Sequence, residues 1–107
     1  MRLYLDDERP CPTGWVLVKT AEEAILMLDN EQVEEISLDH DLGDLDHDPE
    51  RTGYTVLQHI EGKVVWEEAY YPPQIKIHTA NSAARPRMEA AVASILRFTR
   101  MKQEITE

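Results

Sequence analysis

Cysteine is almost absent from this sequence. Cys11 is the only one in 107 residues, which excludes an internal disulfide framework and makes a reducing cytoplasm the expected setting, a host cell's cytoplasm if the chain is viral. Long apolar runs are missing too: no stretch approaches the roughly 20 residues needed to span a bilayer. The opening Met1-Arg2-Leu3-Tyr4-Leu5-Asp6 lacks the apolar core of a secretory signal. Basic residues are scarce, 11 against 21 acidic, for a net charge of −10. Such a field disfavours wrapping a duplex, because phosphate binding depends on Lys and Arg. The imbalance is uneven, however. Residues 1–84 carry 6 basic and 18 acidic side chains, and residues 85–107 carry 5 and 3, so local grip on a nucleotide or a nucleic-acid end stays open. There is no internal repeat and no linker, and the length suits one domain with one modest core.

What is present alternates between strand and helix patterns. Arg2–Asp7 reads as a first strand ending in two carboxylates. Residues 8–14 hold two prolines and a glycine and form a loop too short for an ordinary helix. Trp15–Lys19 is a second, apolar strand. Thr20 with Glu23 matches a capping box, and Ala21, Ala24, Ile25 and Leu28 follow at helical spacing, with Asn30 as the stop. Glu35–Asp39 is a third strand, followed by an acidic loop at 44–52. Tyr54, Leu57, Ile60 and Val64 mark a second helix, weakened by Gly62 and closed by Pro72-Pro73. Gln74–Thr79 is a fourth strand. Asn81 or Ser82 caps a last helix that tolerates Pro86 in its first turn and carries Met88, Ala91, Val92, Ile95 and Leu96 as its apolar stripe. The domain is expected over residues 1–100, with 101–107 a frayed polar tail.

The chain is organised around Ser37-Leu38-Asp39-His40-Asp41-Leu42-Gly43, where a buried strand runs into three ionisable side chains and a turn. Strands alternating with helices imply a parallel sheet, and right-handed crossovers bring the ends of strands one, three and four to one rim. Asp6, Asp7, Asp39, His40, Asp41, His78 and Thr79 then converge where open α/β sheets bind ligands. Carboxylates gathered this closely are costly without a partner, and a cation is the simplest one.

These residues resemble a receiver domain of two-component signalling, with Asp6-Asp7 after strand one, Asp39 after strand three, Thr79-Ala80 after strand four, and Gly53-Tyr54-Thr55-Val56-Leu57 opening a helix. The receiver's first helix, its fifth strand and that strand's lysine are missing; Lys102 has no strand to present it. A closer resemblance is to the family of cyclic-phosphate processing receiver domains. It rests on Leu5-Asp6-Asp7-Glu8-Arg9-Pro10, the Ser37–Gly43 stretch, Thr52-Gly53-Tyr54, and His78-Thr79-Ala80-Asn81-Ser82-Ala83-Ala84-Arg85. The resemblance implies a minimal receiver-like (flavodoxin-like) α/β domain: about four parallel strands in the order 2-1-3-4, three helices, and strand four at or near an edge. An antiparallel pairing of strands one and two is the competing topology.

For the site, Asp6, Asp7 and Asp39, with the backbone carbonyl of Asp41 as in receivers, are expected to hold Mg²⁺ or Mn²⁺, which take oxygen ligands from carboxylates, water and phosphate. His40 and His78, absent from ordinary receivers, suggest general acid–base work near neutral pH, and both are expected to stand outside the ion's own ligands. Arg9 and Arg85 suit a phosphate clamp, helped by Thr79, Asn81 and free amides of the last helix. His47 and His59 are bland. Asp44, Asp46 and Asp48 start like a calcium loop, but Pro49 stands where that loop needs glycine. The leading expectation is a metal-assisted phosphoesterase, or a binder, for a cyclic phosphate: an RNA 2′,3′-cyclic phosphate end or a small cyclic nucleotide, met by a monomer or weak dimer with no membrane partner. A signalling receiver phosphorylated on Asp39 and a non-catalytic acidic inhibitor are the alternatives.

Overall fold

A computed structural model describes residues 1–42 and 51–106. The expected Gly43 turn and most of the acidic loop, with Asp44, Asp46, His47 and Asp48, lie outside the described residues. Four parallel strands, β1 (Arg2–Leu5), β2 (Val16–Val18), β3 (Glu35–Leu38) and β4 (Gln74–Ile77), form one sheet in the order β2-β1-β3-β4. Helices α1 (Ala21–Asn30), α2 (Gly53–Trp66) and α3 (Arg85–Thr106) complete the fold. The parallel pairing of β1 with β2 removes the antiparallel alternative. Their connection, residues 6–15, is shorter than the dozen residues a parallel crossover usually takes. It stands where a receiver has its first helix.

Side chains alternate across a strand, and here the alternation sorts them sharply. Leu3 and Leu5 of β1, Ile36 and Leu38 of β3, and Val18 of β2 share one buried cluster with the inner residues of all three helices. These include Ala24 and Leu28 of α1, Leu57 and Ile60 of α2, and Met88 and Ile95 of α3. All described helices therefore cover one face of the sheet. On the other face the register aligns Arg2 with Glu35 and Gln74, and Leu17 with Tyr4, Ser37 and Lys76. Trp15 lies over this face, edge-on to Tyr4 with ring centroids 6.2 Å apart.

As the expected order requires, β2 sits at a sheet edge, and Val16 and Leu17 stay exposed. Two details differ from the sequence reading. Thr20 caps α1, accepting from the Glu23 amide at 3.1 Å, but the Glu23 carboxylate accepts from the Lys19 amide, one residue short of a full capping box. The residues expected as a frayed tail continue α3 as far as Thr106. Lys102 explains the extension, because its Nζ donates to the carbonyls of Glu67 (2.7 Å) and Tyr70 (2.8 Å), fastening α3 beside the C-terminal end of α2.

Candidate active site

The sheet ladder continues one residue past each central strand. The amide of Asp6 donates to Val18, that of Asp39 to Leu5 and that of His78 to Leu38, at 3.0–3.1 Å. Asp6, Asp39 and His78 thus form the next row of the helix-free face, side by side at the carboxyl ends of β1, β3 and β4. Their ligand atoms lie within 4.8 Å of one another. Asp6 is 1% exposed and Asp39 8%.

Each member is held differently. Oδ1 of Asp6 accepts from the amides of Glu8 (2.8 Å) and Arg9 (2.9 Å), and Oδ2 accepts from Nη1 of Arg9 (3.3 Å) and Nε2 of His78 (3.0 Å). Burial alone would raise this carboxyl, but the two amides and the imidazole outweigh it and hold Asp6 below the ordinary carboxylate range. Asp39 goes the other way. Burial pushes it up, against the His40 amide and the Thr79 hydroxyl, and the nearby negative Asp6 adds to the rise. His78 lies flat on Tyr4, rings 4.4 Å apart and 1° from parallel. Burial lowers its pKa more than Asp6 restores it, so the ring is neutral near pH 7. Its Nε2–H then donates to Asp6, which leaves Nδ1 to accept from Ser37 Oγ at 2.7 Å. Both ring nitrogens are engaged.

His40 is oriented through its neighbour. Its Nδ1–H donates to Oδ1 of Asp41 at 2.8 Å, and the Asp41 carboxylate is steadied by Nδ2 of Asn81 at 3.2 and 3.3 Å. That arrangement leaves the His40 Nε2 lone pair without a partner among the described residues. Asn81, expected at the phosphate, is spent twice over: its Oδ1 also accepts from the amides of Ala83 and Ala84 at 3.0 Å, capping the entry to α3. This chain from Asn81 through Asp41 to His40 had only one signal in the sequence, an amide residue at a helix cap.

Asp6, Asp7, Glu8, Arg9, Asp39, Asp41 and Ala80 line a cavity of about 240 Å³ at this rim. Asp7 and Asp41 face it, yet among the described residues the tight ligand grouping is Asp6, Asp39 and His78, and includes neither. Arg9 reaches across the rim, its Nη1 donating to the His78 carbonyl as well as to Asp6. Arg85 donates through Nη2 to the Thr79 carbonyl and pairs with Glu89, both at 3.3–3.4 Å. Thr79 Oγ1 accepts from the Asn81 amide at 3.0 Å. The structure therefore brings Asp6, Asp7, Arg9, Asp39 and Asp41 to one cavity, and turns Thr79, Asn81 and Arg85 toward the backbone and side chains around it. His59 sits away from the site, 2.9 Å from Asp29.

A divalent ion fits this donor set by charge, since two buried carboxylates converge there with Asp7, Glu8 and Asp41 also lining the cavity. The fit has a cost: both Asp6 oxygens already accept from the protein, and Nη1 of Arg9 would give way at Oδ2. Gly53 makes the floor possible. A Cβ at this position would lie 1.8 Å from the Asp39 carbonyl oxygen, so only glycine lets the start of α2 close against the Asp39 backbone.

A family model described as the cyclic-phosphate processing receiver domain matches residues 1–94 of the chain. Neither curated proteins nor solved structures give a match.

Proposed function

Because the chain belongs to the cyclic-phosphate processing receiver domain family, we propose that its rim cavity hydrolyses a cyclic phosphodiester. The observation that carries this reading is the double place of Asp41, which lines the cavity and orients His40. In the reaction, water attacks phosphorus, and its proton passes to Nε2 of His40. The bond from phosphorus to one ribose oxygen breaks, and that oxygen takes a proton, which His40 can return. The product is a phosphate monoester. Asp6 and Asp39 would hold Mg²⁺ or Mn²⁺, with Asp7 beside them; such an ion supplies Lewis-acid stabilisation of the charge that builds on the phosphate oxygens. The Arg9 guanidinium, 41% exposed in its side chain, offers further donors to the same charge.

His78 has a different role in this reading. With both nitrogens engaged, it positions Asp6 and does not relay the proton. The sequence pattern treated the two histidines as an acid–base pair; their hydrogen bonds favour one base and one positioning residue.

The test is a set of 2′,3′- and 3′,5′-cyclic nucleotides with Mg²⁺ or Mn²⁺, read by mass spectrometry for a gain of one water. His40→Ala should lower turnover by about 10²–10⁴-fold, the usual range for a general base. Absence of hydrolysis by the parental protein with either ion sinks the proposal. The signalling alternative has less support, because Lys102, the lysine weighed for contact with an Asp39 phosphoryl group, is bound at the far end of α2.

A further inference from the structure

The helix-free face of the sheet carries more than the row of site residues. Three of the eleven basic side chains belong to it or to its rim: Arg2, Lys76 and Arg9. Arg2 and Lys76 pair with the two oxygens of Glu35 at 3.4 and 2.6 Å, which fixes both cations beside Trp15. Each stands over the indole, 5.8 and 5.9 Å from its centroid. One carboxylate against two cations leaves this spot positive. Trp15 is only half-buried, and it connects to the site through aromatic contacts: indole on Tyr4, Tyr4 on His78.

A ring with solvent-facing surface, flanked by fixed cations and continuous with a phosphate site, is the chemistry that holds single-stranded nucleic acid. Bases stack on aromatic side chains, and basic groups track the backbone. We infer that this sheet face, centred on Trp15 with Arg2 and Lys76, binds the nucleotide on the 5′ side of the reacting phosphate, so that the substrate is an RNA end and not a free cyclic nucleotide. The inference rests on the proposed cyclic-phosphate chemistry for the identity of the end, and on the face itself for the stacking. The acidic bulk of the chain, net −10, agrees with a short grip on a single strand.

The test measures binding and turnover separately. A 5′-labelled RNA hexamer with a 3′-phosphate, which cannot be hydrolysed as a cyclic ester, is titrated by fluorescence anisotropy. The parental protein should bind it more tightly than it binds a 2′,3′-cyclic mononucleotide used as competitor. Trp15→Ala should weaken hexamer binding by about 5- to 150-fold, the worth of one stacked base; Trp15→Phe should restore most of it, which separates stacking from folding. Lys76→Gln should reduce the salt slope of log affinity by about 0.7, one phosphate contact on a single strand. Hexamer affinity equal to that of the mononucleotide, or unchanged by both Trp15→Ala and Lys76→Gln, overturns the inference even where cyclic mononucleotides are hydrolysed. Tight, Trp15-dependent hexamer binding without hydrolysis of any cyclic end upholds the platform and defeats the proposed reaction instead.

Discussion

The two faces of this sheet are made by the same strands, one residue out of phase, and they do opposite things. On one face Leu3, Leu5, Ile36 and Leu38 have no exposed surface and meet the helices. On the other, Arg2, Tyr4 and Asp6 of the first strand, Glu35, Ser37 and Asp39 of the third, and Lys76 and His78 of the fourth are joined by ion pairs, hydrogen bonds and ring contacts. Burial of aliphatic surface, at about 25 cal/mol per Å², holds the first face. The second gains little net stability from its polar contacts, yet it carries Asp6, Asp39 and His78 side by side at its end. A sheet covered by helices on both sides would have to bury the second face. The absence of a first crossover helix is what leaves it available.

That division can be broken most directly from the covered side. Leu38→Ala, beside Asp39 but pointing at the helices, should cost about 2–5 kcal/mol of stability by emptying the core. Urea unfolding measures it, and turnover of the molecules still folded should stay close to parental. A loss in turnover without a loss in stability would show that the faces are not separable.

Gly53→Ala tests the seam between the faces. The added methyl group meets the Asp39 carbonyl oxygen at 1.8 Å, so α2 must move back or the Asp39 backbone must shift. Overpacking of this kind costs about 1–3 kcal/mol, and unlike Leu38→Ala it should also weaken divalent-ion binding, read as a smaller rise in melting temperature on adding Mn²⁺. Asp39→Asn should weaken the same rise without the loss of intrinsic stability, because it relieves a carboxyl already strained by burial and by Asp6.

The open face should answer to pH where the covered face does not. Burial lowers the His78 pKa in the folded protein, while the unfolded chain takes up a proton near the ordinary value of about 6.5. The unfolded state then binds more protons, so stability falls as pH drops from about 6.5 toward the lowered folded value. Asp39 acts with the reverse sign nearer its own range: raised in the fold, it adds stability as pH falls toward the ordinary carboxylate value. Melting curves of ion-free protein between pH 7.5 and 5 should therefore slope downward, and His78→Gln should flatten that slope. An unchanged slope in the variant would mean that His78 is not held neutral.

The smallest effect expected is at the helix cap. Thr20→Ala removes the acceptor for the Glu23 amide and should cost about 0.5–2 kcal/mol, with turnover unchanged.

Much of this was legible in the residues. Apolar runs separated by turn and helix signals gave the alternation of strands and helices, the order 2-1-3-4 came from the receiver resemblance, and the meeting of Asp6, Asp39 and His78 followed from their places at strand ends. What was not legible depends on side-chain direction. The sequence offers His40 and His78 as equals; only the contacts to Ser37 and Asp6 engage both nitrogens of one, while Asp41 leaves the other a nitrogen without a partner among the described residues. Asn81 reads both as a helix cap and as a phosphate donor; the contacts show the cap, and its second bond, to Asp41, is what the sequence does not offer. The extension of α3 was hidden because Met101 and Ile105, though at helical spacing from Phe98, stand in a polar stretch. The anchor of that stretch is a lysine on two carbonyls, a contact with no periodicity.

The ladder bonds that reach one residue beyond the strands bear on time as well as position. The amides of Asp6, Asp39 and His78 are tied to neighbouring strands of the sheet, so they should exchange with deuterium only when the sheet itself opens, among the slowest in the protein. The amides of Glu8 and Arg9 are held only by the Asp6 carboxylate and should exchange far sooner. A ligand entering the rim would thus meet a floor tied into the sheet, and a wall whose backbone is fastened to that floor through the Asp6 carboxylate.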